Sequence, residues 1–400
     1  MKYIVVVPDG MADYPLPELE GKTPLEAART PNMDFIARNG RLGRVKTIPD
    51  KMTPASDVAN IAIFGYDPRQ YYSGRAPLEA ENLGVKLEEG DVAFRCNLVT
   101  VSNGKLEDYS AGHISSKEAA QLIGEIDRAL GSERIKFYPG ISYRHLMLVK
   151  KGAEEQLESL DCTPPHDILG RDFGKYLPRG KNAEFVKRLM RDSCKILEAC
   201  EINQVRIDLK ENPANMIWLW GQGKKPDMPK FADKYGLSGS VISAVDLIKG
   251  LGGVLGLDVI KVPGATGYYD TDYQGKANAA LKALEKKDFV YVHIEAPDEA
   301  GHNGEIREKI AAIERIDHVI LGTILEAFKK KDNFRILVLP DHATPVSLRT
   351  HSSDVVCFGV FGKGITGRGF SAYSEKEAEK SELYFENGFE LMDYFIKGVD

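Results

Sequence analysis

Apolar residues in this chain come in two rhythms. Near the amino terminus Tyr3–Val7 is one continuous run, closed by Pro8-Asp9-Gly10. Unbroken runs rich in β-branched residues predict a strand buried on both faces, as in a parallel sheet. Thr30–Asn39 predicts a helix, with Pro31 suited to its first turn. Ser56–Phe64 predicts a helix opened by a serine. The middle of the chain is mixed. Phe94–Val101, Lys136–Pro139 and Tyr143–Val149 predict strands, and Ser115–Leu130 and Ala183–Cys200 amphipathic helices. Asp161–Pro178, rich in Pro, Gly and His, predicts a loop. Beyond about residue 238 the pattern turns to regular α/β alternation. Val241–Leu251, Gly275–Leu284 and Lys309–Lys329 predict helices; Leu257–Val262, Phe289–Glu295, Phe334–Leu339 and Val355–Gly362 predict strands. Such alternation argues for a doubly wound parallel sheet. The amino-terminal strand has the same character. The reading is therefore one α/β domain split in sequence, residues 1–75 and 231–400, with residues 76–230 inserted as a second domain.

Composition narrows the classes of function. At 400 residues the chain exceeds one ordinary core of roughly 150 residues. Its 53 Lys and Arg against 59 Asp and Glu exclude a generally basic, nucleic-acid-coating protein, though not a local basic pocket. No apolar run reaches the ~18 residues of a membrane span. The short apolar run at the amino terminus is followed at once by acids and reads as a strand rather than a signal peptide. A cytoplasmic protein without membrane or nucleic-acid partners is expected. Cys96, Cys162, Cys194, Cys200 and Cys357 are odd in number, scattered, and lack a C-x-x-C. Neither a disulfide framework nor a thiolate zinc site is expected, so a metal would fall to His, Asp and Glu.

Three apolar strands end alike: Ile4–Val7 in Pro8-Asp9, Val290–Ile294 in Ala296-Pro297-Asp298, and Ile336–Leu339 in Pro340-Asp341-His342. In open α/β sheets ligands sit beyond the carboxyl ends of the strands. Three carboxylates delivered there would repel one another unless a cation lay among them. Asp298 and His302 are four apart, a spacing that converges on one ion if the segment is helical. His351 follows nine residues after His342. Asp9, Asp298, His302, Asp341, His342 and His351 are too many for one tetrahedral ion and suit two. His113, His145, His166, His293 and His318 stand outside this group. Ser56, at a helix start, is the candidate nucleophile, with Thr53 its competitor. Helix N–H groups would face a phosphate there, and a metal on the hydroxyl would lower its pKa. Asp57 and Asn60, close by, could orient it.

These motifs together are familiar. V-V-P-D-G, P-A-S-D-V-A-N, G-H-I-S at 112–115, E-A-P-D-E-A-G-H and P-D-H-A-T-P with H-S resemble the archaeal-type 2,3-bisphosphoglycerate-independent phosphoglycerate mutases of the alkaline phosphatase superfamily, over nearly the whole chain. The resemblance implies an alkaline-phosphatase-like sheet with an inserted α+β phosphotransferase domain. It places Asp9, Ser56, Asp341 and His342 on one ion and Asp298, His302 and His351 on the other. It implies two divalent ions, Mn²⁺ first and Zn²⁺ second, and no bisphosphoglycerate. Ser56 would take the phosphoryl group of 3-phosphoglycerate and return it to the 2-oxygen, a step of glycolysis and gluconeogenesis, in a water-poor cleft. His113 would serve acid/base contact to substrate. Arg95, Arg144 and Lys234 are candidates for its carboxylate and phosphate. The resemblance leaves a homo-oligomer open.

The chain also resembles a bacterial branch proposed to be homoserine kinases, through Leu339-Pro340-Asp341-His342 and Arg349-Thr350-His351, where mutases more often carry glycine before D-H. A homoserine-directed phosphotransferase and a metal-dependent phosphatase are the alternatives. No P-loop motif is present, so a nucleotide would bind through the metals.

Overall fold

Residues 1–398 are described by a computed structural model. The chain forms two units: Met1–Tyr72 together with the chain from Met228 onward, and Ser73–Asp227. Strands along the chain are β1 (Lys2–Pro8), β2 (Arg41–Val45), β3 (Val92–Ser102), β4 (Lys105–Asp108), β5 (Ile135–Ile141), β6 (Arg144–Val149), β7 (Met216–Lys224), β8 (Gly239–Ile242), β9 (Asp258–Ile260), β10 (Phe289–Ile294), β11 (Phe334–Val338), β12 (Val356–Gly362) and β13 (Tyr384–Phe385).

In the first unit the run Tyr3–Val7 lies at the heart of an eight-stranded sheet ordered β13-β2-β12-β11-β1-β10-β8-β9. β1 pairs in parallel with β10 and β11, setting Val7 beside His293 and Val6 beside Val338. Both sheet faces are covered, which is why these strands are continuously apolar. Ile4, Val6, Val292 and Ile336 pack on one side with Met33, Ile36, Ala280 and Ile313 from helices Pro31–Asn39, Tyr273–Leu284 and Ile306–Arg315. Elsewhere in this unit Phe64, at the end of helix Ser56–Ile63, stacks on Tyr291 with ring centroids 4.1 Å apart.

Three expectations need correction. Val241–Leu251 is not one helix: Gly239–Ile242 is strand β8, parallel to β10, and the helix runs Asp246–Val254. A short apolar run fits either state, and lateral pairing decides it. The sheet is also not wholly parallel, because β12 runs antiparallel to β11 and β2. Residues 339–355 contain no crossover helix to carry the chain back for parallel pairing. Finally, the expected helix Lys309–Lys329 is interrupted by a π segment, Ile316–Leu321, between Ile306–Arg315 and Gly322–Phe328. The wider turn holds Asp317, whose carboxylate accepts from Met33 N at 2.7 Å and Asn32 N at 3.2 Å. Those are free N–H groups of a helix that Thr30 does not cap with its side chain.

The second unit is α+β. β4-β3-β6-β5 form an antiparallel sheet, with β7 on β3. Helices Ser116–Leu130 and Ala183–Glu198 bury Leu122, Ile126, Val186 and Met190 against Phe94, Cys96 and Leu98. Helix Arg75–Asn82 packs Ala76 and Ala80 against Ala93 and Leu146. Among the described residues no helix is long and apolar enough to cross a membrane.

Candidate active site

The parallel strands deliver their carboxyl ends side by side. Asp9 follows β1, Asp341 and His342 follow β11, and His293 is the penultimate residue of β10. Glu295 leads into helix Ala296–Asn303, whose first turn carries Asp298 and whose last carries His302 on the same face. Gly10 makes the tight exit from β1 at φ +61°; a Cβ there would lie 2.7 Å from Asp298 Oδ1 and 2.5 Å from Thr344 Oγ1, so only glycine fits.

Ser56 is the first helical residue, not the cap; extended Ala55 occupies that position. Its hydroxyl therefore has no capping bond and stands 3.1 Å from His342 Nε2. That nitrogen is 3.5 Å from Asp9 Oδ1 and 3.6 Å from Asp341 Oδ2. On the other side His302 and His351 bring their Nε2 atoms to 2.9 Å, each 3.4 Å from the Asp298 carboxylate. The His342 and His351 rings link the two halves at a centroid distance of 4.2 Å. Thr53 lies exposed in the loop before the helix.

A supporting layer orients these groups. Asn60 Nδ2 donates to Asp341 Oδ2 and to the Ser56 carbonyl, both at 2.8 Å, and Tyr291 OH donates to Asn60 Oδ1. Gly10 N and His342 N donate to Asp341 Oδ1 at 3.1 and 3.0 Å. Thr344 Oγ1 donates to Asp298 Oδ1. His302 Nδ1 and His351 Nδ1 face the carbonyls of Arg349 and Pro54 at 3.1 and 3.3 Å, leaving both Nε2 atoms to face Asp298. Asp57 accepts from Tyr72 OH at 2.8 Å.

Buried carboxylates and imidazoles crowd one another here and shift one another's ionisation. Burial, then repulsion by Asp341 and Asp298, pushes the Asp9 carboxyl far above the usual range. Burial also opposes the charges of Asp341 and Asp298, but neighbouring imidazoles outweigh it and hold both below that range. Burial lowers His342. At His302 burial is overcome by the Asp298 hydrogen bond and charge, and the imidazole is raised to about 9. Asp9 Oδ1 and His293 Nε2 are buried with no hydrogen-bond partner. Donor atoms within 4.8 Å of one another come from Asp298, His342 and His351; from Asp9, His293 and Asp341; and from Asp9, Glu295 and Asp298. Carboxylate oxygens and imidazole nitrogens in this density fit divalent ions.

His293 and Glu295 were not among the sequence candidates, although His293 interrupting an otherwise apolar strand was a visible signal. The remaining candidates each have surroundings of their own. Lys234 Nζ donates to the Gly65 carbonyl and sits 4.4 Å from the Tyr66 ring centroid. That is the far end of the helix from Ser56, roughly 12 Å away at ~1.5 Å per residue. In the second unit Arg95 is buried, 3.1 Å from Glu79 and 4.2 Å from the Trp220 ring centroid. Arg144 and His113 are exposed there, His113 in a left-handed turn at φ +51°.

Fold and cluster together define an α/β protein with a carboxylate–imidazole site at the carboxyl ends of its parallel strands. A family profile described as 2,3-bisphosphoglycerate-independent phosphoglycerate mutase matches residues 37–203. The chain is 52 % identical over 399 residues to the protein of that name from Methanosarcina barkeri, covering 99 % of this chain and 100 % of the other. It is 49 % identical over 401 residues to a probable one from Geobacter sulfurreducens, covering 99 % and 100 %. Among solved structures, the cofactor-independent phosphoglycerate mutase from Thermoplasma acidophilum matches with a TM-score of 0.68 at 27 % identity, covering 99 % of both chains. A protein from Pyrococcus horikoshii matches at 0.84 and 28 %, covering 99 % of this chain and 96 % of that one. The chain belongs to the 2,3-bisphosphoglycerate-independent phosphoglycerate mutase family. Membership implies divalent metal ions, and the donor set described above fits them.

Proposed function

We propose that this chain interconverts 3-phosphoglycerate and 2-phosphoglycerate without bisphosphoglycerate, through a phosphoserine on Ser56. The observation that carries this reading is the uncapped Ser56 hydroxyl at the start of a helix, 3.1 Å from His342 Nε2 and beside the carboxylate–imidazole cluster. Asp9, Ser56, Asp341 and His342 would hold one divalent ion and Asp298, His302 and His351 the other, Mn²⁺ first and Zn²⁺ second. Bound there, such ions would lower the pKa of the Ser56 hydroxyl and neutralise charge on the phosphoryl oxygens.

The chain's own residues supply the rest. Ser56 Oγ, its hydroxyl already ionised, attacks phosphorus; a bond to Oγ forms, and the bond to the glycerate 3-oxygen breaks as that oxygen takes a proton. In the return step the glycerate 2-hydroxyl loses a proton, attacks the phosphoserine and frees Ser56. Asn60 and Tyr291 fix Asp341 and the Ser56 backbone, so the nucleophile needs little reorganisation. We assign His113 to proton exchange with glycerate and Arg144 to its carboxylate, since both are exposed. Arg95 and Lys234 serve packing through the partners already given.

The kinase-like departures do not redirect this assignment. Leu339 is fully buried, and the Arg349 main-chain carbonyl faces His302 Nδ1, so both positions have a structural role that needs no second substrate. Protein reloaded with Mn²⁺ and given 3-phosphoglycerate without ATP should yield an equilibrium mixture with 2-phosphoglycerate by phosphorus NMR. Release of free phosphate instead, or activity only with ATP and homoserine, would overturn the assignment.

A further inference from the structure

His293 is unused by the mechanism above, yet it is among the most enclosed polar groups in the first unit. Its side chain is fully buried at the end of β10, in register with Val7 of β1. Nε2 lies 3.2 Å from Asp9 Oδ2 and 4.0 Å from Asp341 Oδ2, and makes no aligned hydrogen bond. The other ring nitrogen, Nδ1, is 3.4 Å from Ser243 Oγ, a hydroxyl already fixed by accepting from Val245 N at 3.0 Å. The His293 carbonyl accepts from the buried Lys276 Nζ at 3.1 Å. Ring and backbone are thus held from both sides while one nitrogen points at two carboxylates.

Beside a divalent ion the Asp9 carboxylate is ionised and only accepts, so the imidazole nitrogen placed against it is called on to donate. Asp9 has two oxygens with different surroundings. Oδ2 faces His293, whereas Oδ1 has no hydrogen-bond partner and faces His342 Nε2 at 3.5 Å. We propose that His293 is a positioning residue for Asp9: it donates Nε2–H to Oδ2 and thereby presents Oδ1 to the divalent ion shared with Asp341 and His342. The inference rests on reading the cluster as a divalent-metal centre. Ser243 and Lys276 set the position of the imidazole. Carboxylates that bind metals are themselves commonly oriented by such donors, and losing one typically costs 10- to 100-fold in metal affinity.

The test measures metal directly, without substrate, so its failure is separate from any failure of the mutase reading. Metal-free protein is titrated with Mn²⁺ alone, and directly bound nitrogen is followed by pulsed electron paramagnetic resonance. His293→Ala should weaken one of the bound ions by about 10- to 100-fold. His293→Gln keeps volume and places an amide N–H near the lost Nε2, so it should return affinity to within about threefold. In His293→Gln the nitrogen couplings should match the native protein, because His293 is not itself a ligand. Equal loss in both variants with one fewer coupled nitrogen would make His293 a ligand and overturn the proposal. Unchanged affinity in His293→Ala would also overturn it. His293→Gln that folds with native metal-free stability but binds as poorly as His293→Ala would do the same.

Discussion

Lys309 is fully buried, and its ammonium joins three segments around the site. Nζ donates to Asp13 Oδ2 at 2.7 Å, to the Ala12 carbonyl at 3.2 Å and to the Thr344 carbonyl at 2.8 Å. It thereby ties the loop that follows Asp9, and the loop that follows His342, to helix Ile306–Arg315. Lys309→Met keeps the aliphatic stem and removes the charge. Asp13 is then left buried without its cation, which typically costs ~3–5 kcal/mol when one partner of a buried pair is removed. Asp13 keeps bonds from Val346 N at 3.1 Å and Tyr14 N at 2.8 Å, so the lower end, ~3 kcal/mol, is expected. Adding Asp13→Asn should recover most of the loss, because no isolated charge remains. Urea unfolding of metal-free protein measures this. Trp218 and Trp220, the only tryptophans, lie in the second unit, so fluorescence follows that unit while far-ultraviolet circular dichroism follows both. The dichroism component without a fluorescence counterpart should move down by ~1 M urea in Lys309→Met, taking m near 3 kcal/mol/M. A shift below ~0.3 M, or a double variant less stable than the single one, would refute the reasoning.

Two further outcomes follow from titration. In metal-free protein His302, raised to about 9, adds stability that is fully present below its ordinary value and is lost as pH rises through about 9. An incoming ion must displace that proton, so calorimetry in buffers of different ionisation enthalpy should show affinity rising from pH 6.5 toward 9 with proton release; a flat profile would contradict it. Glu375 is pushed up to about 7 by burial, with Thr23 Oγ1 donating to Oε2 at 2.9 Å and Oε1 left without a partner. An acid raised on folding loses native stability as pH climbs from its ordinary value through about 7. Glu375→Gln should therefore be more stable than the native protein at pH 8, by up to ~3 kcal/mol, and nearly equal to it at pH 4. Identical pH–stability curves for the two would count against that account.

What could be read from the sequence was what breaks a pattern. Asp9, Asp298 and Asp341 each end an apolar run, and a strand-end carboxylate stands out because it stops the run. His293 sits one residue inside such a run, where a lone polar side chain reads as core. β8 escaped for a related reason: its four residues, Gly239–Ile242, are apolar enough for either state, and only pairing with β10 and β9 selects the strand. The direction of β12 depends on a loop path rather than on composition. Asp317 capping Met33, and Lys309 joining Ala12 to Thr344, act across hundreds of residues, and no local periodicity records them.

The central claim is that Ser56 carries the phosphoryl group between two oxygens of one glycerate. Acid-quenched protein from a brief reaction with 3-phosphoglycerate should show, by mass spectrometry, one added phosphoryl group on the peptide containing Ser56. Ser56→Ala should lose both the adduct and mutase turnover while still binding its metal. Turnover by Ser56→Ala, or an adduct mapped to any other residue, would contradict the account.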